Sequence, residues 1–256
     1  MSIKQILVPT DLSQCANEAL RVASDLARKV KGSVIHLLHT FEELPQVDNY
    51  RQKLSNKVDE ICGQGFLKDI EVQAHIIPGK KIWQVLKSSA FNDIDVIVMG
   101  THGIHQDDKW FMGSNTQKVI QFAEVPVLVV RGYINMDDIH DMIYSSNFDR
   151  NSIEAYESIN NLIKALHVNV RLLKVITPEE FQSTEESESQ MNEFAKDVGL
   201  DHYDTNVYNA RSLVDGVMEF TFEDPDALIA LETQGVFGLG HFFFSRSAGP
   251  MLTPAH

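Results

Sequence analysis

The feature that most narrows the choice of fold is a repeat. The stretch ILVPTDLS, beginning at Ile6, returns as DMIYSSNFD from Asp141, with Asn147 at the place of Asp11. VIHLLHTF returns as NVRLLKVI, with Leu172 at the place of Leu37. DVIVMGTHG returns as DALIALETQG, with Gly235 at the place of Gly103. The offsets are 136, 135 and 132 residues, a slow drift that small deletions explain. Two copies this far apart mean two domains of one architecture, because a solenoid needs shorter periods and more copies.

The first copy shows what that architecture is. IKQILVPTD is an apolar run ended by Pro9, Thr10 and Asp11, which predicts a strand. Ser13 is a candidate N-cap, and Ala16, Ala19, Leu20, Ala23, Leu26, Ala27 and Val30 follow at helical spacing up to Gly32. SVIHLLHTF predicts a second strand, residues 50–62 a helix, EVQAHIIPG a third strand and IWQVLKSSAF a helix. DIDVIVMG is a continuous β-branched run, as in a strand buried on both faces. SNTQKVIQFA then predicts a helix and VPVLVVR a fifth strand. Strands alternating with helices imply a parallel sheet with helices on both faces.

The two domains are therefore expected at residues 1–133 and 138–256, with the boundary near Gly132–Asp138. At this offset a second copy of VPVLVV would begin at about residue 257 by the repeat rule, past His256. Either the chain is shortened there, or the second sheet lacks its last strand and leaves an open edge, which is a pairing surface. The HFFF run at residues 241–244 is expected to precede a helix and to cover either the second crevice or the domain contact.

Charge separates the copies. The net charge is −14, which argues against nucleic-acid and anionic-membrane partners. Residues 1–133 hold 15 basic and 15 acidic side chains, whereas residues 134–256 hold 7 and 21. Much of the excess lies in PEEFQSTEESES, read as a solvated acidic loop. No apolar run approaches the roughly 20 residues of a membrane span. The N-terminus shows no secretory signal pattern. Two cysteines, Cys15 and Cys62, suit a reducing cytoplasm, the expected location.

In an open parallel sheet, ligands sit beyond the C-terminal ends of the strands. Asp11, Thr40 and Met99-Gly100 all end strands there. Gly100, Gly103 and Gly113 surround a loop whose backbone N–H groups could approach an anion without a Cβ in the way. Gly113-Ser114-Asn115 opens a helix, so free N–H groups and the positive dipole end would point at the ligand. Ser114 can add a hydroxyl donor, and Asp11 can accept from a sugar hydroxyl or a base amine. The spacing is neither GxGxxG nor GxxxxGK[ST], and no GxSxG elbow is present. His102 and His105 with Asp107 and Asp108 lack the spacing of a helical metal-ligand pair, so no metal site is expected.

Gly100-x2-Gly103-x9-Gly113-Ser114, after an apolar strand and with PTD at residues 9–11, resembles the ATP-binding pattern of the universal stress proteins. The resemblance covers residues 3–131 nearly end to end and residues 139–255 more weakly, as in a tandem member. It implies Rossmann-like or flavodoxin-like sheets, of the adenine nucleotide alpha hydrolase-like type, with strand order 3-2-1-4-5 and pairing through the fifth strands. It implies ATP, with Mg²⁺, held at Pro9, Thr10, Asp11, Thr40, Met99, Gly100, His102, Gly103, Gly113, Ser114 and Asn115. Asp107-Asp108 inside the loop departs from the pattern by adding negative charge, which Mg²⁺ could offset. The implied role is stress-response regulation, not catalysis. No nucleophile–base pair or loop lysine is assembled, although slow ATP hydrolysis stays open. A nucleotide-free interaction module of the same fold is the alternative. An enzyme of the related hydrolase type would need an SGGxDS-like loop, which VPTDLSQ does not supply.

The second copy is expected to be empty. Aligned without gaps, Gly100 becomes Glu232, Gly113 becomes Ser245 and Ser114 becomes Arg246. A carboxylate about 4 Å from a phosphate charge would cost roughly 4 kcal/mol at an effective dielectric of 20. That is nearly a thousandfold in affinity. The second domain is then a built-in pairing partner for the first, an intramolecular pseudo-dimer, with pairing of two chains left open.

Overall fold

The computed structural model describes residues 3–41, 50–88, 91–101, 113–222, 224, 226–234 and 240–244. The first half runs β1 (Gln5–Thr10), α1 (Gln14–Lys29), β2 (Val34–Phe41), α2 (Tyr50–Cys62), β3 (Glu71–Pro78), α3 (Ile82–Leu86), β4 (Val96–Gly100), α4 (Ser114–Phe122) and β5 (Val127–Val130). The second runs β6 (Asp141–Ser145), α5 (Arg150–Leu166), β7 (Asn169–Ile176), α6 (Thr184–Asp197), β8 (Tyr203–Asn209), α7 (Leu213–Thr221), β9 (Leu228–Gln234) and β10 (Gly240–Phe244). The first half has the strand order β3-β2-β1-β4-β5, parallel throughout. The second repeats it as β8-β7-β6-β9, also parallel. Tandem Rossmann-like sheets, the second without a fifth parallel strand, are thus present as the repeat requires.

The open edge is not. β10 returns antiparallel along β9, from Gly240 opposite Gln234 to Phe244 opposite Ala230. Its other edge runs parallel to β5, with Phe243 opposite Val127 and Phe244 opposite Leu128. The edge groups of β9 are therefore hydrogen-bonded, and one ten-stranded sheet results. The HFFF run is itself a strand at the contact between halves; the helix expected after it lies outside the described residues. A parallel fifth strand needs a long crossover, whereas the short spacer 235–239 suits an antiparallel return. Because β10 is antiparallel to β9 and parallel to β5, the strands of the two halves point in opposite directions. Their C-terminal ends open at opposite edges of the sheet.

Local sequence explains the matching starts of α1 and α5. Ser13 caps α1 by accepting from the Ala16 N–H, and Asp149 caps α5 by accepting from the N–H groups of Asn151 and Ser152. Just before each cap stands a non-glycine residue with positive φ, Leu12 at 66° and Phe148 at 58°. In both turns the preceding hydroxyl accepts the backbone N–H two residues on: Thr10 from Leu12 at 3.0 Å, Ser146 from Phe148 at 3.1 Å.

One hydrophobic core runs through both halves on the α1, α2, α5 and α6 side of the sheet. The first half has a separate core beneath α3 and α4, the second a smaller one beneath α7. The segment between halves is packed, not a loose linker. Ile134, Met136 and Ile139 are buried in the shared core, and Asp137 pairs with Lys29 of α1. Among the described residues, no helix is long and apolar enough to cross a membrane.

Candidate functional site

At the C-terminal edge of the first half, β1 delivers Pro9, Thr10 and Asp11, β2 delivers Thr40, and β4 delivers Met99 and Gly100. Asp11 is exposed. Its Oδ1 accepts from the Ser13 N–H at 3.0 Å, and Oδ2 has no partner among the described residues. Thr10 is buried, and its hydroxyl is engaged in the turn, so its contribution is to hold the Asp11 backbone. His39 donates from Nδ1 to the Thr10 carbonyl at 2.8 Å, which fixes the end of β1 against β2. Met99 turns its side chain into the core beneath α3 and α4, leaving its backbone at the crevice.

Gly100 is glycine for a packing reason. A Cβ there would lie 2.6 Å from Cys15 Sγ and 3.0 Å from the Cys15 carbonyl oxygen. The N-terminal turn of α1 thus presses on the end of β4. The Gly100 carbonyl accepts from the Thr116 hydroxyl at 3.1 Å, and the Thr101 carbonyl accepts from the Gly113 N–H at 2.8 Å. These two bonds pin the start of α4 to the end of β4. Gly113 is the N-cap and supplies no side-chain cap bond. Ser114 and Asn115 follow in the first helical turn, both exposed, where backbone N–H groups have no intrahelical acceptor. An N-cap without a side chain leaves those donors and the positive dipole end open to an outside anion.

The structure therefore brings Asp11, Thr40, Gly100, Gly113, Ser114 and Asn115 to one edge of the sheet. His102 and Gly103, and with them Asp107 and Asp108, lie outside the described residues. Cys15, Thr101 and Thr116 position this edge and were not singled out for it by sequence. The sequence around Thr101 gives no hint that its carbonyl anchors a helix, because that contact depends on the return of the chain at Gly113.

The equivalent edge of the second half is built from the same backbone with other side chains. The pairing of β6 with β9 matches that of β1 with β4, which places Glu232 at the position of Gly100. The Glu232 carboxylate turns back onto the start of α5. Its Oε2 accepts from the Ser146 hydroxyl at 2.8 Å and the Ser152 hydroxyl at 2.9 Å. Lys174 stands where His39 stands in the first half. It is 6% exposed and donates from Nζ to the Asn147 carbonyl and to Asn147 Oδ1, each at 3.1 Å. Burial pushes the Lys174 ammonium below its usual range, while the Glu180 and Asp149 carboxylates oppose that shift. Thr40 is matched by Val175, which lies buried beneath α7. A Cβ on Gly216 of that helix would come 2.5 Å from Val175 Cγ1. At three positions the halves thus differ: Glu232 with its carboxylate folded inward stands for Gly100, buried Lys174 for buried His39, and buried Val175 for half-buried Thr40. Ser245 and Arg246 lie outside the described residues.

Comparison with known proteins adds a family to this geometry. The sequence model of the universal stress protein family matches residues 2–131. Universal stress protein MJ0577 of Methanocaldococcus jannaschii is 27% identical over 154 residues, covering 50% of this chain and 94% of its own length. The universal stress protein in the QAH/OAS sulfhydrylase 3′ region of Thermus aquaticus is 27% identical over 136 residues, covering 50% of this chain and 98% of its own. A solved universal stress protein from Archaeoglobus fulgidus DSM 4304 is similar over 96% of this chain and 98% of its own, with a TM-score of 0.71. At 18% identity that last likeness is one of fold.

Proposed function

Because this chain belongs to the universal stress protein family, we propose that it is a stress-response regulator whose first domain, residues 1–133, binds ATP with Mg²⁺. The observation that carries this reading is the exposed start of α4. Gly113 caps it without a side chain, and Ser114 and Asn115 present open donors on the same edge as the exposed Asp11. That donor set fits the group: an anion suits free N–H groups at a helix start, and a carboxylate with a free oxygen suits a ribose or a base amine. Ser114, Asn115 and the Gly100 backbone would hold phosphates, with Gly103 of the same loop. Asp11, Thr40 and the backbone around Pro9, Thr10, Met99 and His102 would hold the nucleoside. Mg²⁺ would offset the charge of the phosphates and of Asp107-Asp108.

The second domain, residues 138–256, is a degenerate copy that serves as a built-in partner. Continuity of the sheet through β5 and β10 and the shared core support an intramolecular pseudo-dimer. The Glu232 and Lys174 contacts support a crevice filled from within. The role read here is regulatory and cytoplasmic, with no catalytic step assigned to either edge.

Calorimetric titration of the purified chain with MgATP tests this. One site per chain is expected, lost in Gly113→Val, where a branched side chain would stand over the helix start, and kept in Glu232→Gly. Two sites per chain, or no site in protein free of co-purified nucleotide, would overturn the reading.

A further inference from the structure

The antiparallel return that closes the sheet also removes a helix. In the first half, α4 stands between β4 and β5 in the chain and packs on α3. Between β9 and β10 there are only residues 235–239, too few for the nine residues of α4. The helix equivalent to α3 is α7. Their N-caps, Lys81 and Ser212, each stand three residues past the end of the preceding strand, Pro78 and Asn209. Trp83 then corresponds to Val214, and Lys87 to Met218.

In the first half both of those side chains rest on α4. Trp83 stacks on Phe122 with ring centroids 5.3 Å apart, and the Lys87 ammonium lies 4.3 Å from the centre of the same ring. In the second half the equivalent face is open. Val214 is 66% exposed, Leu213 47%, and Phe222 at the C-cap 60%. These are three of the five large apolar side chains exposed among the described residues, which marks out one helix rather than a scatter over the surface. Val214 and Met218 are one turn apart and form a stripe along it. The inner face of α7 is seated: Gly216 lies against Val175, and Val217 belongs to the core beneath the helix.

The charge beside the stripe is of one sign. Residues 212–226 hold five carboxylates and no Lys or Arg. Asp224 is paired with Arg171, while Asp215 and Glu219 of α7 are exposed and accept only hydroxyls, from Ser212 and Tyr208. The last strand points away from this face. β10 runs antiparallel to β9 and ends at Phe244 heading away from the edge of the sheet at which α7 begins.

We infer that the Val214–Met218 face of α7 is a docking site for a short amphipathic helix of a partner protein, one that lays an aromatic anchor on the stripe and Lys or Arg beside the carboxylates. It supplies from outside the helix that the second half lacks between β9 and β10. The contact of Phe122 in the first half sets the aromatic anchor, and the sign of the surrounding charge sets the basic flank. The site does not depend on nucleotide in the first half.

An amphipathic Leu/Lys peptide of about four helical turns, with one central Phe, is a suitable probe. The full chain, labelled at Leu, Val and Met methyl groups and free of nucleotide, would be titrated with it and followed by NMR. Saturable shifts are expected at Leu213, Val214 and Met218. Ala in place of the Phe should weaken binding about tenfold or more, as for an interface anchor. Glu in place of every Lys should abolish it. Val214→Ser with Met218→Ser keeps the net charge and the buried face of α7, and should also weaken binding about tenfold. If that pair loses its dispersed methyl spectrum, Val214→Ser alone carries the same expectation. Shifts confined to other methyls, equal binding of the Lys and Glu peptides, or unchanged affinity in a folded Ser variant would overturn the proposal. So would protection of the Val214 methyls from a soluble paramagnetic agent before peptide is added, which would mean that residues 245–256 cover the face. Shifts that grow with protein concentration alone would overturn it too, in favour of a second copy of the chain.

Discussion

The two crevices share a backbone and differ in what stands on it. Both begin with a turn in which a hydroxyl accepts the N–H two residues on, a positive-φ residue, and a capped helix. In the first half the next strand ends in Gly100, His39 reaches a carbonyl, and the helix start at Gly113 carries no side-chain cap. In the second, Glu232 supplies a carboxylate to the hydroxyls of Ser146 and Ser152, and Lys174 clamps Asn147. The second half thus carries a carboxylate and an ammonium of its own where the first has Gly100 and His39. Behind the sheet the second half gathers the rings of Tyr144, Phe148, Tyr156 and Phe194, where the first has Val8, Leu12 and Leu20 on the matching strand, turn and helix. A duplicated fold keeps its scaffold through backbone geometry and core pattern, while the cavities are free to close.

Several substitutions would break or sharpen this contrast. The largest effect is expected from Phe194→Ala, which opens the middle of the aromatic cluster. Truncating a buried Phe costs about 3–5 kcal/mol, and a chemical-denaturation midpoint would report it. Ile61→Ala, at a half-buried position near the end of α2, should cost clearly less, and equal losses would mean that the outer helices of the two halves are packed alike.

Next is Gly100→Glu, which moves the residue of the second half into the first. The added side chain has no room beside Cys15, and its carboxylate would face a phosphate at a cost of about 4 kcal/mol. MgATP affinity should fall nearly a thousandfold by calorimetry. Binding within tenfold of the parent would remove the electrostatic reason for an empty second crevice.

Glu232→Ala follows. It removes the acceptor that Ser146 and Ser152 share, but the two hydroxyls still meet each other at 2.6 Å and Ser152 still reaches Asp149 Oδ1 at 3.3 Å, so a modest loss of about 1 kcal/mol is expected. Thermal unfolding should show the loss without any gain of nucleotide binding. A stabilised variant would mean that the carboxylate is strained there and not an internal occupant.

The smallest effect separates the halves by pH. His36 and His75 meet across β2 and β3 at 3.0 Å, and His36 also meets Gln5. Burial lowers both below the usual imidazole range, His36 further through His75, while Glu71 opposes the shift on His36. A base with a depressed folded-state pKa binds fewer protons folded than unfolded. Stability is therefore full above the unfolded value near 6.5 and declines as pH falls from there towards the folded values. At the position of His36 the second half has Arg171, paired with Asp224 at 2.9 Å, and no imidazole. Hydrogen exchange between pH 7 and 5 should show protection falling in β2 and β3 before β7 and β8. His75→Gln should flatten the difference.

The repeat and the alternation of strands and helices were legible in the sequence because they rest on local rules, whereas the strand order came with the family resemblance. Apolar runs of strand length, the N-cap at Ser13 and polar residues at strand ends carried that reading, and Asp149 caps the matching helix of the second half. The exposed start of α4 was legible for the same reason, since Gly113-Ser114-Asn115 carries its own chemistry. The pairing of β10 was not. HFFF has no alternation that names a partner, and the parallel contact with Val127 and Leu128 joins positions more than a hundred residues apart. The roles of Glu232 and Lys174 were only half legible. The sequence placed a carboxylate where a glycine had been, which is enough to predict repulsion of an anion. Whether that carboxylate faced outward or folded back depended on two serines brought to it by separate elements. The cluster of Tyr144, Phe148, Tyr156 and Phe194 was illegible altogether, because it joins a strand, a turn and two helices. Sequence determined the scaffold through short-range propensity and periodicity; tertiary structure alone decided which spaces closed, because packing is settled by the shapes that distant segments present to one another.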